Sequence, residues 1–285
     1  MRWVVLGAAG MLGQDVVARL GGGEGAGGVQ VVPLTRQDVD VTDHAAVRAA
    51  LAGADVVVNC TAYTAVDAAE SDEATAFAVN ATGAAAVARA AHEHGARLVH
   101  VSTDYVFDGL AAEPYDEDAP VAPRSAYGRT KAAGEWAVRA TCPDHLLVRT
   151  AWLYGAGGSC FPRTIARVAA ERGALDVVED QVGQPTWTAD LADLVVRLVE
   201  AQAPAGTYHG TSSGSVSWFG FAREVVAAAG LDPQIVSPTT SEAFTRPAPR
   251  PAYSVLGHGA LRRAGVEPIG PWEQRWAAAA PTVLA

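Results

Sequence analysis

Tyr127 and Lys131 stand four residues apart in Tyr127-Gly128-Arg129-Thr130-Lys131, within a segment rich in Ala, Arg and Glu that carries helical spacing. Residues four apart on a helix share a face, so a phenol and an ammonium would point into one cleft. At about 5 Å and an effective dielectric of about 20 the ammonium favours the phenolate by about 3 kcal/mol, which lowers a pKa of about 10 by roughly two. That moves a tyrosine toward the range where general acid catalysis is most effective. The same pair also occurs as an ordinary amphipathic helix face, so its companions matter. Ser102-Thr103-Asp104 sets two hydroxyls at the end of an apolar run, and Gly7-Ala8-Ala9-Gly10-Met11-Leu12-Gly13 lies between a β-branched run and a helical one.

Glycine permits a tight turn and a close approach of backbone to a pyrophosphate, while the helix that follows offers unpaired N–H groups and a partial positive charge. The spacing is G-x-x-G-x-x-G instead of G-x-G-x-x-G, and glycines so placed also serve close strand–helix packing. The strand–turn–helix context favours a dinucleotide site, with Gly7, Gly10, Met11, Leu12 and Gly13 at the phosphates. About 20 residues on, the second strand should present the group that reads the adenosine ribose. It ends in Pro33-Leu34-Thr35-Arg36. The Arg36 guanidinium matches the 2′-phosphate of NADPH, although a solvated surface arginine would look the same. Asp40 lies near enough to touch the adenine end instead, which keeps NADH open.

The elements that must position these groups alternate. Strand candidates are residues 3–6, 29–34, 55–60, 97–101 and 145–149, continuous apolar runs of the kind covered on both faces. Between them, residues 11–20, 45–52, 74–94 and 127–140 carry helical spacing. The β-α-β-α order with right-handed crossovers predicts an α/β fold with a doubly wound parallel sheet, the Rossmann arrangement. Residues 1–150 read as the dinucleotide-binding domain and 151–285 mainly as a smaller C-terminal substrate domain, with part of 180–215 returning to the first near Gly206–His209. Past Thr150 the pattern predicts a helix over 159–172, a strand at Leu175–Val178, helices at Thr188–Glu200 and 217–230, and a proline-rich loop over 238–251. Residues 21–28 read as a mobile surface loop.

Composition narrows the partners. With 21 Lys+Arg against 31 Asp+Glu the net charge is −10, which argues against nucleic-acid binding. No run approaches the roughly 18 apolar residues of a membrane span. The opening apolar run reaches the glycine turn after about six residues, short of the ~7–15 of a signal-peptide core, so a first strand explains it better than a leader. Cys60, Cys142 and Cys160 are far apart without metal-ligand spacing, as expected for reduced thiols of a cytoplasmic protein.

Several motifs carry a resemblance. Gly7–Gly13, Asn59-Cys60-Thr61-Ala62, Val79-Asn80-Ala81-Thr82-Gly83 and Tyr127…Lys131 resemble the extended short-chain dehydrogenase/reductases. Thr64-Ala65-Val66-Asp67-Ala68-Ala69-Glu70, Ser102 to Gly109, Tyr127 to Glu135, Arg149 to Tyr154, Asp180-Gln181-Val182-Gly183-Gln184-Pro185-Thr186 and Arg250 to Ser254 are similar to the dTDP-4-dehydrorhamnose reductase family, from the first strand to near residue 276. The resemblance implies NAD(P)H-dependent reduction of the C4 ketone of a dTDP-4-keto-6-deoxy-sugar, foremost dTDP-4-dehydro-L-rhamnose. It implies that Thr103 hydrogen-bonds the ketone oxygen, that Tyr127 protonates it, and that Lys131 holds the nicotinamide ribose. Ala62 and Tyr63 join the cofactor contacts. Tyr105, Trp152 and Arg250 are the candidates for the sugar nucleotide, with Phe161 and Arg163 behind them; Trp152 and Phe161 also suit a core. Some members of the family bind Mg²⁺ through acidic residues at a dimer contact. Asp15 matches one such position but no full set is evident, so no metal is assigned; a homodimer remains open.

Three other functions fit part of the pattern: a sister ketoreductase of an antibiotic deoxysugar or dihydrostreptose-type pathway, a non-catalytic module resembling the regulatory subunit of methionine adenosyltransferase, and an epimerase or 4,6-dehydratase. Asp104-Tyr105 after Thr103 is not the Asp-Glu pair of a dehydratase.

Overall fold

The computed structural model describes residues 1–21 and 28–285, so most of the loop expected at 21–28 lies outside the described residues. Trp3 to Leu6 are buried in the opening strand β1 (Arg2–Leu6). After it come α1 (Met11–Arg19), β2 (Gln30–Leu34), α2 (His44–Ala50) and β3 (Val56–Asn59). The short helices α3 (Val66–Ala69) and α4 (Glu73–Phe77) lead through a π-helical stretch, Ala78–Gly83, into α5 (Ala84–Glu93). Next are β4 (Arg97–Thr103), α6 (Ala126–Thr141) and β5 (His145–Thr150).

Past β5 the chain forms β6 (Leu153–Tyr154), α7 (Phe161–Arg172), β7 (Leu175–Val178), β8 (Val182–Gly183), β9 (Thr186–Trp187), α8 (Thr188–Glu200) and β10 (Gly206–His209). β10 joins the main sheet, whose six strands run in the order β10-β5-β4-β3-β1-β2 with every pairing parallel. This is the doubly wound α/β arrangement. Strand order reverses between β1 and β3, and ligands of such sheets bind beyond the carboxyl ends of the strands at that point.

Aliphatic side chains fill both faces of the sheet. Val5, Val58, Val99 and Val148 pack toward α1 and α8, whereas Val4, Val57, Leu98 and Leu147 pack toward α2, α5 and α6. The remaining elements are β11 (Ser212–Ser213), β12 (Val216–Ser217), α9 (Trp218–Ala228), β13 (Val236–Thr239), α10 (Gly259–Arg263), β14 (Ile269–Pro271) and α11 (Trp272–Val283). A separate cluster forms there around Tyr154, Phe221, Trp272 and Trp276. Short two-stranded ladders, β6 with β9, β7 with β13, β8 with β12 and β11 with β14, take the place of a large sheet.

Three expectations change. The single helix over 74–94 is broken at Ala78–Gly83, where the Asn80 amide leaves the helix line to bond the backbone of Tyr63 and the hydroxyl of Thr130. The loop over 238–251 begins as the end of β13, which pairs with β7. Beyond residue 251, α11 is an element the sequence reading does not assign. Among the described residues no helix is long and apolar enough to cross a membrane.

Candidate active site

The carboxyl ends of β1, β3, β4 and β5 converge on a cavity of about 520 Å³, lined among others by Gly10, Met11, Cys60, Tyr127, Lys131 and Trp152. Gly7 turns the chain beneath it. Its φ of +77° favours glycine, and a Cβ there would lie 3.1 Å from the backbone of Cys60 and Thr61. Gly10 caps α1 with an extended backbone, so the first N–H groups of the helix, at Met11, Leu12 and Gly13, are free of intrahelical partners beside the cavity. Those N–H groups with the positive helix end suit a pyrophosphate, and the cradle fits a dinucleotide.

Of the predicted cofactor contacts, Gly10, Met11, Leu12, Gly13, Ala62 and Lys131 line this cavity. Tyr63 does not line it; its backbone N–H and carbonyl are pinned by the Asn80 side chain, which fixes the loop after β3. Arg36 is exposed just beyond β2 and joins no ion pair among the described residues. Asp40, also exposed, accepts hydrogen bonds from the Thr42 N–H and hydroxyl, which hold its carboxyl below the usual range with help from the Arg36 charge.

α6 starts on a Ser125 cap whose hydroxyl accepts from the Gly128 N–H at 3.1 Å, and its face carries Tyr127 and Lys131 into the cavity. Lys131 is 2% exposed and its ammonium donates to the Val101 carbonyl at 2.7 Å. Burial brings it down to about 8, with Glu135 opposing. Tyr127 does not follow the expectation of a lowered phenol: burial pushes it up to about 12, against a hydrogen bond with Thr103, and the Asp104 charge adds to the rise. Desolvation of the phenol is the largest effect, and the Lys131 ammonium is turned to the Val101 carbonyl. Thr103 ends β4, donates to Asp104 at 3.0 Å and accepts from the Tyr105 N–H. Ser102, its companion hydroxyl, is turned to Glu135 at 2.7 Å.

Glu135 and Arg149 make a buried ion pair under the site, with contacts of 2.9 and 2.8 Å. Burial works to raise the Glu135 carboxyl, but Arg149, Ser102 and Arg139 hold it below its ordinary value. Burial pushes the Cys60 thiol up to about 12, which leaves it a poor nucleophile.

A second cavity of about 460 Å³ adjoins the first through Asp104, Tyr105 and Trp152, which line both. Phe161, Trp218, Arg246 and Arg250 face it. Arg250 pairs with Asp67 of α3 at 2.8 Å, and Arg246 stands 3.8 Å from the same carboxylate. Burial opposes ionisation of Asp67, but these two arginines keep its pKa lowered. Two aromatics and two guanidiniums beside a polar floor suit a nucleotide carrying a diphosphate. Tyr105 packs edge-on against Tyr127 with centroids 5.5 Å apart. Arg163 lies elsewhere: it donates to the carbonyl of Val283 at the end of α11 and to that of Ala156 in the loop before α7. Arg246, Trp218 and Asp104 were not singled out from sequence. An i,i+4 pair of arginines in the proline-rich run was a signal for the first, while Trp218 reaches the site only through tertiary packing. Asp15 sits beside Thr188 with its carboxyl raised by burial, and among the described residues no three His, Cys, Asp or Glu side chains converge as a metal site.

Residues 1–284 match the family model of the RmlD substrate binding domain. The chain belongs to that family. It is 50% identical to a probable dTDP-4,6-dihydroxy-2-methyloxan-3-one 4-ketoreductase of Streptomyces antibioticus, over 100% of this chain and 96% of the relative. It is 49% identical to a dTDP-4-dehydrorhamnose reductase of Streptomyces griseus, over 95% of this chain and 90% of the relative. Among solved structures, the dTDP-4-dehydrorhamnose reductase of Bacillus anthracis in complex with NADP superposes with a TM-score of 0.93 at 36% identity, covering 98% of each chain. Both cavities lie inside the matched region.

Proposed function

We propose that this RmlD-family protein reduces the C4 ketone of a dTDP-4-keto-6-deoxy-sugar with NADPH, foremost dTDP-4-dehydro-L-rhamnose to dTDP-L-rhamnose. The observation that carries the reading is the meeting of two cavities at Trp152, one running from the glycine turn to Tyr127 and Lys131, the other flanked by Arg246 and Arg250. The NADP complex of the B. anthracis relative and the exposed Arg36 favour NADPH over NADH. In this reading residues 1–150 with α8 and β10 carry the cofactor, and most of 151–285 carries the sugar nucleotide.

Bound nicotinamide supplies the hydride; the remaining tasks fall to side chains of this chain. The Thr103 hydroxyl turns its proton from Asp104 to the ketone oxygen. Tyr127, whose phenol at about 12 is protonated at neutral pH, gives its proton to that oxygen as it becomes an alkoxide. Lys131, cationic below about 8, holds the ribose and stabilises the tyrosinate left behind. Arg250, with Arg246, exchanges part of its contact with Asp67 for the diphosphate.

A sister sugar-nucleotide 4-ketoreductase is the second reading, favoured by the S. antibioticus relative. The test offers purified protein dTDP-4-keto-6-deoxy sugars with NADPH or NADH, follows loss of cofactor absorbance, and identifies the product by NMR. Stoichiometric cofactor consumption with a 4-hydroxyl product supports the proposal, and the sugar reduced fastest chooses between the readings. Absence of multiple turnovers with every such sugar overturns both.

A further inference from the structure

The segment Asp180 to Thr186 has no part in the chemistry above, and Trp152 has a backbone its own sequence does not favour. Its φ is +47°, a left-handed conformation that is unfavourable for a bulky residue and persists only where the surroundings hold it. Three contacts do so. The Trp152 carbonyl accepts from the Thr186 N–H at 3.2 Å. Its indole lies face to face with Trp218, the ring centroids 3.4 Å apart and the planes 7° from parallel. It also runs so close to Gly183 that a Cβ there would come within 2.5 Å of the indole.

One ladder places both partners. β8, which contains Gly183, pairs antiparallel with β12, and β12 ends at Ser217, the cap of α9 immediately before Trp218. The Trp218 N–H donates to the Gln181 carbonyl at 3.3 Å, and Phe161 backs the Trp218 ring with centroids 4.3 Å apart. The indole so held stands at the joint of the cofactor and sugar-nucleotide cavities.

We propose that Gly183 and Trp218 are positioning residues that set the Trp152 indole at this joint and thereby determine how tightly the sugar nucleotide is held. An indole has two rotatable bonds and a large flat face, so its value to a ligand depends on where its neighbours stop it. Gly183 supplies a bare Cα against which the ring comes to rest; Trp218 fixes the plane. Gly183 lines neither cavity, so a change there reaches the ligand only through Trp152. The inference rests on the sugar-nucleotide reading of the site.

The test compares Gly183→Ala, Trp218→Ala and Trp218→Phe with the wild type, each first shown to unfold cooperatively. Two stacked indoles give an exciton couplet in circular dichroism, and Trp218→Ala and Trp218→Phe should both abolish it. For Gly183→Ala and Trp218→Ala the KM for the 4-keto sugar nucleotide should rise about tenfold while the KM for NADPH stays within about twofold. Trp218→Phe keeps an aromatic face on Trp152 and should return the sugar-nucleotide KM to within about threefold of wild type. An unchanged sugar-nucleotide KM in Gly183→Ala, or equal rises for both substrates, overturns the proposal. If the wild type turns over no 4-keto sugar nucleotide, the functional reading fails by itself. Equilibrium dialysis with dTDP then decides this one: weaker binding by Gly183→Ala and Trp218→Ala than by wild type supports it, and equal binding overturns it.

Discussion

The two cavities share Trp152 and are built by opposite means. The one beside the glycine turn is walled by the ends of a continuous parallel sheet whose strands bury Val, Leu and Ile-sized side chains on both faces. The one beside Arg250 is walled by short two-stranded ladders, a proline-rich loop and an aromatic cluster, and an ion pair across 183 residues of sequence ties it to α3. Groups that act on a reacting atom are held by the sheet and by α6 packed on it, where a small displacement would be costly, while groups that recognise a ligand sit on separately anchored segments. The contrast predicts that damage to the first region appears as lost stability or lost turnover, and damage to the second as weakened substrate binding with turnover retained.

The sharpest break in that contrast comes from Glu135→Ala. Glu135 accepts from Ser102, Arg149 and Arg139 and is fully buried, so its removal leaves the Arg149 guanidinium, 1% exposed, without its carboxylate. Breaking a buried pair on one side costs about 3–5 kcal/mol. The melting temperature should fall by roughly 10 °C in a scan against wild type. A loss below about 1 kcal/mol in urea titration would show that this region tolerates damage as the second one does.

Tyr127→Phe removes one proton and leaves the packing of the ring. Losing a donor to a developing oxyanion costs about 10²–10³ in kcat. NADPH affinity, measured by fluorescence titration, should stay at the wild-type value, because the glycine turn and Lys131 are untouched. Near-wild-type turnover under saturating cofactor would move the proton donor elsewhere. The same region sets a pH limit. Burial lowers the Lys131 pKa to about 8, so the ammonium is present below that value and lost above it. kcat/KM should decline on the alkaline side through about pH 8; a profile flat to roughly pH 10 would detach Lys131 from the proton step.

The difference between the regions also explains what could be read in advance. The strands of the large sheet are runs such as Val56, Val57 and Val58, and continuous apolarity between Gly-rich turns is a local signal that the fold did not override. Tyr127 and Lys131 share a helix face by spacing alone. The break in the helix over 74–94 was not readable, because it depends on the Asn80 amide meeting Tyr63 and Thr130, residues far away in sequence. Trp272, Trp276, Ala280 and Val283 do carry a helical period, but Pro281 interrupts it near the end and obscures α11. The lowered phenol failed for a related reason: spacing shows that two side chains share a face, but not that the buried Lys131 donates to the Val101 carbonyl or that the phenol of the half-buried Tyr127 is desolvated. Trp218 and Gly183 are legible only together with Trp152, through packing.

Arg250→Ala should show the opposite signature to Tyr127→Phe. A charge-assisted contact of this kind is worth about 1.5–3 kcal/mol, a KM for the sugar nucleotide raised roughly 10- to 100-fold. kcat should stay within about threefold, since Thr103 at the end of β4 and Tyr127 on α6 are untouched and the loop keeps Arg246 near Asp67. Equal losses in kcat and kcat/KM would mean that Arg250 acts on the transition state, and the division between the two regions would not hold there.

Arg36→Ala is the mildest test and the one that sharpens the comparison within the first region. Arg36 stands exposed at the edge of the sheet, away from Tyr127, so its removal should leave the reaction and the sugar nucleotide alone. A solvated guanidinium on a 2′-phosphate contributes about 1 kcal/mol, roughly a fivefold rise in the KM for NADPH. NADH lacks that phosphate, so its KM should not move, and the ratio of the two kcat/KM values isolates the contact from any change in folding. If both cofactors weaken alike, Arg36 supports the loop after β2 instead of reading the phosphate. The preference for NADPH would then have to arise elsewhere along that strand edge, where Asp38 and Asp40, both held ionised by threonine hydrogen bonds, leave little that welcomes an anion.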